Sequence, residues 1–303
     1  MRYPGISPLR QILLIGLSLF ATVLSAQNEK PDQIVTYREV DGSELKMHIF
    51  LPDGFQPSDR RPAVVFYFGG GWNGGSPDQF YPFSEYLTSR GMVAMAAEYR
   101  TKKSHDVDPF ACVEDAKAAM RWARQNAAEW GIDPQRLAAG GGSAGGHLAA
   151  ATALLPGLNE AGAKLSDSCV PDALILYNPV MDNGPTGYGF ERVGHRFQEI
   201  SPLHNIGPAV PPPTITFLGT EDALIPVETM RTFANAIRRA GGRCDVHLYE
   251  QATHGFFNRR DWGNVRYYEV LRATDRFLGS LGWLEGEPVV MLLADSHFVE
   301  PEE

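Results

Sequence analysis

Cysteine is scarce in this chain: Cys112, Cys169 and Cys244 are all that 303 residues contain. Their separations carry no metal-ligand spacing, which removes a thiolate metal centre from consideration. An odd count permits one disulfide and one free thiol; buried, unpaired thiols are the simpler reading. Positive charge is scarce too. Lys and Arg number 27 against 36 Asp and Glu, for a formal net charge of −9, and no basic run occurs. Such a chain suits neither a phosphate backbone nor an anionic membrane surface, so no nucleic-acid partner is expected. Long apolar runs are missing with one exception, residues 12–24, which is short for a membrane span. Arg2 and Arg10 precede that run, and the small residues Ser25 and Ala26 follow it. This is the layout of a secretory signal cleaved after Ala26, with an uncleaved anchor as the alternative. No cysteine follows closely to take a lipid. Residues 1–26 are therefore expected to be a signal peptide, and the remainder secreted or periplasmic without stable membrane association. No internal repeat is present.

What the chain does have is apolar bulk, 44% of its residues, enough for a sizeable core. Its length fits one large α/β domain or two small ones. Residues 34–40 and 45–51 read as an opening pair of strands. Short apolar runs follow at 63–67, 92–97, 137–139, 173–177, 214–218 and 246–249, the pattern of strands buried on both faces. Helical stripes lie between them. Val113, Ala116, Met120, Ala123 and Ala127 form one, closed by Gly131, and a small-residue pattern spans 148–155. Met230, Phe233, Ala234 and Ile237 form another, between Pro226 and Gly241. The last runs from Tyr267 through Val270, Leu271, Thr274, Phe277 and Leu278 to Leu281. The alternation predicts an α/β fold: a mostly parallel central sheet with helices on both faces. It is expected as one domain over residues 27–284, with a C-terminal tail over 285–303. In that tail the apolar run 289–293 is a candidate edge element, and the acidic end is expected to fray.

Between the run 137–139 and the small-residue helix stands Gly140-Gly141-Gly142-Ser143-Ala144-Gly145-Gly146. Its middle fits G-x-S-x-G, the sharp strand-to-helix turn that lifts a nucleophilic serine above a sheet. Glycines flank such a serine because a strained turn leaves no room for Cβ atoms. The amide after the serine sits at a helix N-terminus, where it can face a developing oxyanion. A second pattern overlaps the first. Gly140, Gly142 and Gly145 fit the dinucleotide fingerprint G-x-G-x-x-G, and Glu160 lies about 20 residues on.

In open α/β sheets, ligands bind beyond the carboxyl ends of the strands. Phe68-Gly69-Gly70-Gly71-Trp72 follows the run 63–67, and Glu98-Tyr99-Arg100 follows the next. Ser143 follows the third. Asn178-Pro179 and Asp182 come after 173–177, Gly219-Thr220-Glu221-Asp222 after 214–218, and His254-Gly255-Phe256 after 246–249. Ser, Asp and His thus fall on successive strand ends, in the order of an α/β-hydrolase. A dinucleotide fingerprint usually opens the first β-α unit, whereas several strands precede this one.

On these pieces, with Ser201-Pro202 and Pro226, the chain resembles the α/β-hydrolase superfamily. The branch is that of hormone-sensitive-lipase-like and bacterial feruloyl- and acetyl-esterase-like enzymes. The resemblance implies a serine carboxylic-ester hydrolase acting through an acyl-enzyme, with no metal or organic cofactor. It implies an oxyanion hole made by the amides of Gly70, Gly71 and Ala144. Relatives usually carry histidine before the three glycines, where its side chain helps to hold the loop. Here Phe68 stands in that place, so packing of Phe68 and Trp72 is expected to replace those hydrogen bonds.

A serine hydroxyl is a poor nucleophile at neutral pH; it needs a base, and the base needs an orienter. Of eight histidines, His254 is the expected base, since it follows the strand run 246–249. His147, one helical turn beyond Ser143, is expected to be structural. Asp222 is the expected acid, with Glu221 and Asp182 as alternatives. Ser143, Asp222 and His254 are therefore the candidate catalytic residues.

The segment 182–204 carries Tyr188, Phe190, Arg192, His195, Arg196 and Phe197. It is either a wall or cap of the substrate pocket, with Arg192 and Arg196 one helical turn apart, or a surface loop anchored by its aromatics. Trp72, Tyr188, Phe190 and Arg196 are the expected substrate contacts, and Trp72, Asn73 and Tyr81 are candidates to stack on a sugar. No long greasy segment suggests an interfacial lipase lid. The expected substrate is a small-molecule or polysaccharide ester with a short acyl group, acetyl or similar. The alternatives are a catalytically silent binding protein on the same fold, a serine peptidase, and a nicotinamide oxidoreductase.

Overall fold

Runs in which every residue is apolar can only be satisfied between two covering layers, and the central strands have them. The structure, a computed structural model, describes residues 30–259, 264–290 and 298–299. The expected signal peptide lies outside the described residues. The strands are β1 (Gln33–Val40), β2 (Ser43–Phe50), β3 (Arg61–Tyr67), β4 (Val93–Ala97), β5 (Ile132–Gly142), β6 (Ala173–Tyr177), β7 (Thr214–Gly219), β8 (Cys244–Tyr249) and β9 (Phe298–Val299). They form one sheet ordered β1-β2-β4-β3-β5-β6-β7-β8-β9. From β4 to β8 the pairing is parallel. β2 pairs antiparallel with β1 and β4, and β9 antiparallel with β8. The β1–β2 hairpin closes through Asp41 and Gly42, both at positive φ, the two-residue turn that matches strand twist.

Helices cover both faces. They are α1 (Tyr81–Ser89), α2 (Lys102–His105), α3 (Pro109–Gln125), α4 (Ala144–Leu154), α5 (Phe190–Val193), α6 (Phe197–Ile200), α7 (Val227–Arg239) and α8 (Val265–Ser280). The pleat sorts them. Val65 and Tyr67 of β3 face a layer with Val113 and Met120 of α3, Leu148 of α4 and Phe233 of α7. Val64 and Phe66 face the opposite layer, with Phe83 of α1 and Val270 and Phe277 of α8. α3 starts cleanly because Asp108 accepts from the amides of Phe110 and Ala111 at 3.0 and 3.3 Å, with Pro109 in the first helical position.

Three expectations change. β5 begins at Ile132, five residues before the apolar run 137–139, since Arg61 pairs with Ile132 ahead of a register shift. The polar residues 133–136 hid that extension. α1 carried no stripe recognised in the sequence; Pro82 sits in its first turn, where the ring costs no hydrogen bond. In the tail, Val289 and Val290 have no regular structure, residues 291–293 of the candidate edge run lie outside the described residues, and Phe298 and Val299 pair with β8. The three cysteines are buried and free.

Candidate active site

β5 ends at Gly142 and α4 begins at Ala144. Ser143, between them, has φ 54° and ψ −119°. Positive φ is strained for a residue with a Cβ, and the surroundings hold it there. The Ser143 amide donates to the Tyr177 carbonyl at 2.9 Å, and the Ser143 carbonyl accepts from the amides of His147 at 3.0 Å and Val180 at 3.2 Å. A Cβ on Gly145 would lie 1.9 Å from the Tyr67 carbonyl oxygen, and one on Gly142 2.3 Å from the Phe257 ring. The protein's own atoms thus fill the space beside these glycines, and Glu160 is engaged by Arg121. The glycine pattern serves the turn, not a pyrophosphate.

His254 reaches Ser143 from the segment after β8. Its Nε2 lies 2.9 Å from Ser143 Oγ, and its Nδ1 2.8 Å from Asp222 Oδ2. The Asp222 carboxyl is wholly buried, and the His254 side chain is 23% exposed. The other Asp222 oxygen, Oδ1, accepts from the amides of Leu224 at 2.9 Å and Ile225 at 3.0 Å. The segments after β7 and β8 can approach because Gly219 has no Cβ; one there would lie 2.1 Å from the Ala252 carbonyl. With the carboxylate opposite Nδ1, the proton sits on Nδ1 and the Nε2 lone pair faces Ser143. The hydroxyl can then pass its proton to Nε2, and the buried carboxylate stabilises the imidazolium that forms. Neither alternative acid meets His254 among the described residues. Glu221 is exposed, and Asp182 Oδ1 accepts from the Gly184 amide at 2.7 Å.

The loop after β3 lies against the serine: a Cβ on Gly69 would be 3.4 Å from the Ser143 Cβ. Gly70 and Gly71 have positive φ, and no backbone carbonyl takes their amides among the described residues. Ala144 is the first residue of α4, so its amide has no intrahelical acceptor. Aromatic packing does hold this loop. Phe68 stacks on Tyr99 with centroids 4.1 Å apart and planes at 16°, and the Tyr99 hydroxyl donates to the Phe68 carbonyl at 2.7 Å. Tyr99 is fixed in turn by its neighbour, since Arg100 Nε donates to the buried Asp115 at 3.0 Å. Trp72 is buried edge-on against His147, 5.0 Å between centroids. His147 is structural, as expected. It is fully buried, its Nε2 donates to the Ile200 carbonyl at 2.9 Å, and burial pushes its pKa down to about 4.

This geometry has known counterparts. Residues 47–174 match the BD-FAE family model and residues 186–285 the dienelactone hydrolase family model. Solved structures of esterase 2 from Thermogutta terrifontis superpose with a TM-score of 0.81 at 46% identity, over 84% of this chain and 96% of that one. The chain belongs to the α/β-hydrolase superfamily. Within it, this hydrolase falls in the hormone-sensitive-lipase-like esterase branch. An acetylxylan esterase from Xylanibacter ruminicola is 27% identical over 92% of this chain and 55% of its own length. Esterase LipQ from Mycobacterium tuberculosis is 28% identical over 78% and 60%. The chain therefore spans little more than half the length of these two curated relatives.

Around the hydrolase's serine, the expected substrate contacts divide. Tyr188 reaches the site: its hydroxyl would lie 2.9 Å from a Cβ on Gly71. Trp72 is 1% exposed, so its ring is taken up mostly by packing, although it borders the hollow beside the loop. Tyr81 is engaged with His48 Nδ1 at 2.5 Å. Phe190 packs on Phe197, 6.1 Å between centroids. Arg196 pairs with Glu199 at 2.9 Å and lies 4.0 Å over the Phe110 ring. Arg192 is the cation at the loop: its guanidinium donates to the Gly71 carbonyl and covers Trp72 and Tyr188. The two arginines separate because α5 stops at Val193 and Gly194, at φ 56°, resets the chain direction. A hollow of about 410 Å³ adjoins the loop, bounded by Gly71, Asn73, Lys102, Asp108 and Arg192 among others.

Proposed function

We infer that this protein is a secreted serine carboxylic-ester hydrolase that acts through an acyl-enzyme on short-acyl esters of carbohydrates, acetyl or similar. The observation that carries the reading is the continuous line from Ser143 Oγ through His254 to the buried Asp222, with contacts of 2.9 and 2.8 Å. Ser143 Oγ attacks the ester carbonyl while His254 Nε2 takes its proton. The oxyanion that forms is held by the amides of Gly70, Gly71 and Ala144, where one donor is worth ~10²–10³ in rate. Collapse expels the alcohol, which takes the proton back from His254 and leaves an acyl-Ser143 ester. Water, deprotonated by His254, attacks that ester by the same route and releases the acid.

The similar esterase 2 of Thermogutta terrifontis was solved with propionate bound, with butyrate bound, and phosphorylated by paraoxon. Those small acids favour a short acyl pocket here, and the phosphorylated form favours a reactive serine. Acetate on a carbohydrate finds support in the acetylxylan esterase relative and in the mixed charge of the hollow beside Gly71. Secretion rests on the pattern of residues 1–26.

Nitrophenyl esters from acetate to dodecanoate, beside acetylated xylan and a feruloyl ester, test this reading. Acetate and propionate esters should exceed octanoate in kcat/KM, and acetylated xylan should release acetate. Preference for octanoate or longer sinks the short-acyl part. A fluorophosphonate probe should label Ser143; failure to label favours a silent binding protein.

A further inference from the structure

Histidine is the usual residue before the three glycines, and Phe68 cannot replace its polar contacts. The first glycine of the loop nevertheless has a polar partner for its amide. Gly69 N–H donates to Gln79 Oε1 at 2.6 Å. Gln79 stands in the short helical turn Pro77–Phe80 before α1. Its other amide atom, Nε2, donates to Asn258 Oδ1 at 2.8 Å. Asn258 lies four residues beyond His254, and its Nδ2 donates to the Gly255 carbonyl at 2.9 Å. The Gly255 amide donates to Asn178 Oδ1 at 3.3 Å, and Asn178 Nδ2 lies 3.3 Å from His254 Nε2. Side-chain amides therefore run unbroken from the oxyanion loop to the histidine's turn. The Gln79–Asn258 hydrogen bond thus joins a residue holding that loop to the segment that carries His254.

We propose that Gln79, held by Asn258, is the positioning residue that fixes the oxyanion loop relative to His254. The proposal rests on the serine-esterase reading above. Its chemical sense is that the loop and the histidine flank Ser143 from different strand ends, β3 and β8. Catalysis needs both in register with the same tetrahedral centre, since a small misplacement of a positioned group costs rate steeply. A primary amide suits the task because it accepts on one atom and donates on the other. Glutamate keeps the acceptor for Gly69 but loses the donor for Asn258. It also sets a negative charge beside the amides that must receive an oxyanion. Asn178 and Gln79 act through their neighbours and need not touch substrate.

The test is a cycle of Gln79→Leu, Asn258→Leu and the double variant, with Gln79→Glu, measured on nitrophenyl acetate. Gln79→Leu should lower kcat about 10–100-fold, at or below the cost of losing an oxyanion donor outright, with KM changed less than about threefold. The double variant should be no slower than Gln79→Leu, because both substitutions cut one link. Should Gln79→Leu fail to fold, the isosteric Gln79→Glu decides, with an expected fall in kcat of at least about tenfold at an unchanged melting temperature. Wild-type kcat in either folded Gln79 variant, or strictly multiplicative effects of the two leucines, overturns the proposal and leaves the esterase reading standing. Wild-type protein that neither hydrolyses esters nor takes a fluorophosphonate overturns both.

Discussion

Asp222→Asn should be nearly silent for folding and severe for catalysis, and the structure says why. The carboxyl is wholly buried and each oxygen has its own partner. Oδ1 accepts from two backbone amides, those of Leu224 and Ile225, while Oδ2 faces His254 Nδ1 at 2.8 Å. Asparagine has one oxygen, and two amide donors demand it at the Oδ1 position. Its NH₂ group must then face His254. Two N–H groups cannot share that contact, so the imidazole proton moves to Nε2 and Nδ1 becomes the acceptor. Nε2 then points a hydrogen at Ser143 Oγ and has no lone pair to receive its proton. In proteases with the same constellation, that wrong tautomer costs ~10⁴ in kcat, about 5.5 kcal/mol of barrier. Size and hydrogen-bond count hardly change, so melting should shift by only a few degrees. The assay is kcat on nitrophenyl acetate beside a thermal melt. Turnover within about tenfold of wild type, with Asp182→Asn inactive, would refute the assignment.

Phe68→Ala removes a buried ring stacked on Tyr99, at about 3–5 kcal/mol. At ~2–4 °C per kcal/mol, melting should fall by roughly 6–20 °C and kcat with it, whereas Phe68→His, which keeps a flat ring over Tyr99, should lose much less; full activity in Phe68→Ala would show that this ring does not hold the loop. Arg192→Ala frees the Gly71 carbonyl and should cost about tenfold in kcat/KM, in line with a charged hydrogen bond partly open to solvent, while Arg196→Ala should change it less than about twofold; the reverse order refutes the placement of the two cations. His147 gives a pH signature. Its folded pKa of about 4 lies below the ordinary 6.5, so the unfolded chain takes the proton first. The stability that follows from keeping it neutral is whole above pH 6.5 and is lost as pH falls through 4, by about 3 kcal/mol. His147→Gln should flatten melting temperature against pH across that window, and an unchanged slope would assign the loss to other groups.

The sheet was legible because its centre leaves little choice. β4 and β6 are apolar and buried at every position, and β7 breaks its buried run only with Thr214, Thr216 and Gly219; no helix stripe or surface strand reads that way. Ser143, Asp222 and His254 were legible for a related reason. Each lies shortly after the end of a buried strand, Ser143 at once after Gly142, Asp222 after Gly219 and His254 after Tyr249, so locating the strands narrowed the search to a few residues. The helix α1 was not, because its buried side packs as Pro82, Phe83, Ser84 and Leu87, a sequence with a proline and a serine where a stripe would show apolar groups.

Substrate contacts were harder because they depend on where a short helix stops. Arg192 and Arg196 differ by four residues, a spacing that puts two side chains on one face of a continuous helix. The helix here is not continuous. Gly194 takes φ 56° and ψ −142° between α5 and the next turn, and no stripe in a segment this short signals such a break. One cation therefore goes to the Gly71 carbonyl and the other to Glu199. Gln79 was invisible for a different reason. A half-buried amide in a single helical turn has neither periodicity nor unusual composition, and its partner Asn258 lies 179 residues away in the chain. Only the convergence of the strand ends makes it meaningful. The same convergence explains why Phe68 can stand where relatives usually carry histidine. The loop's polar tether comes from another segment, so the position before the glycines is free to pack on Tyr99 as an aromatic ring.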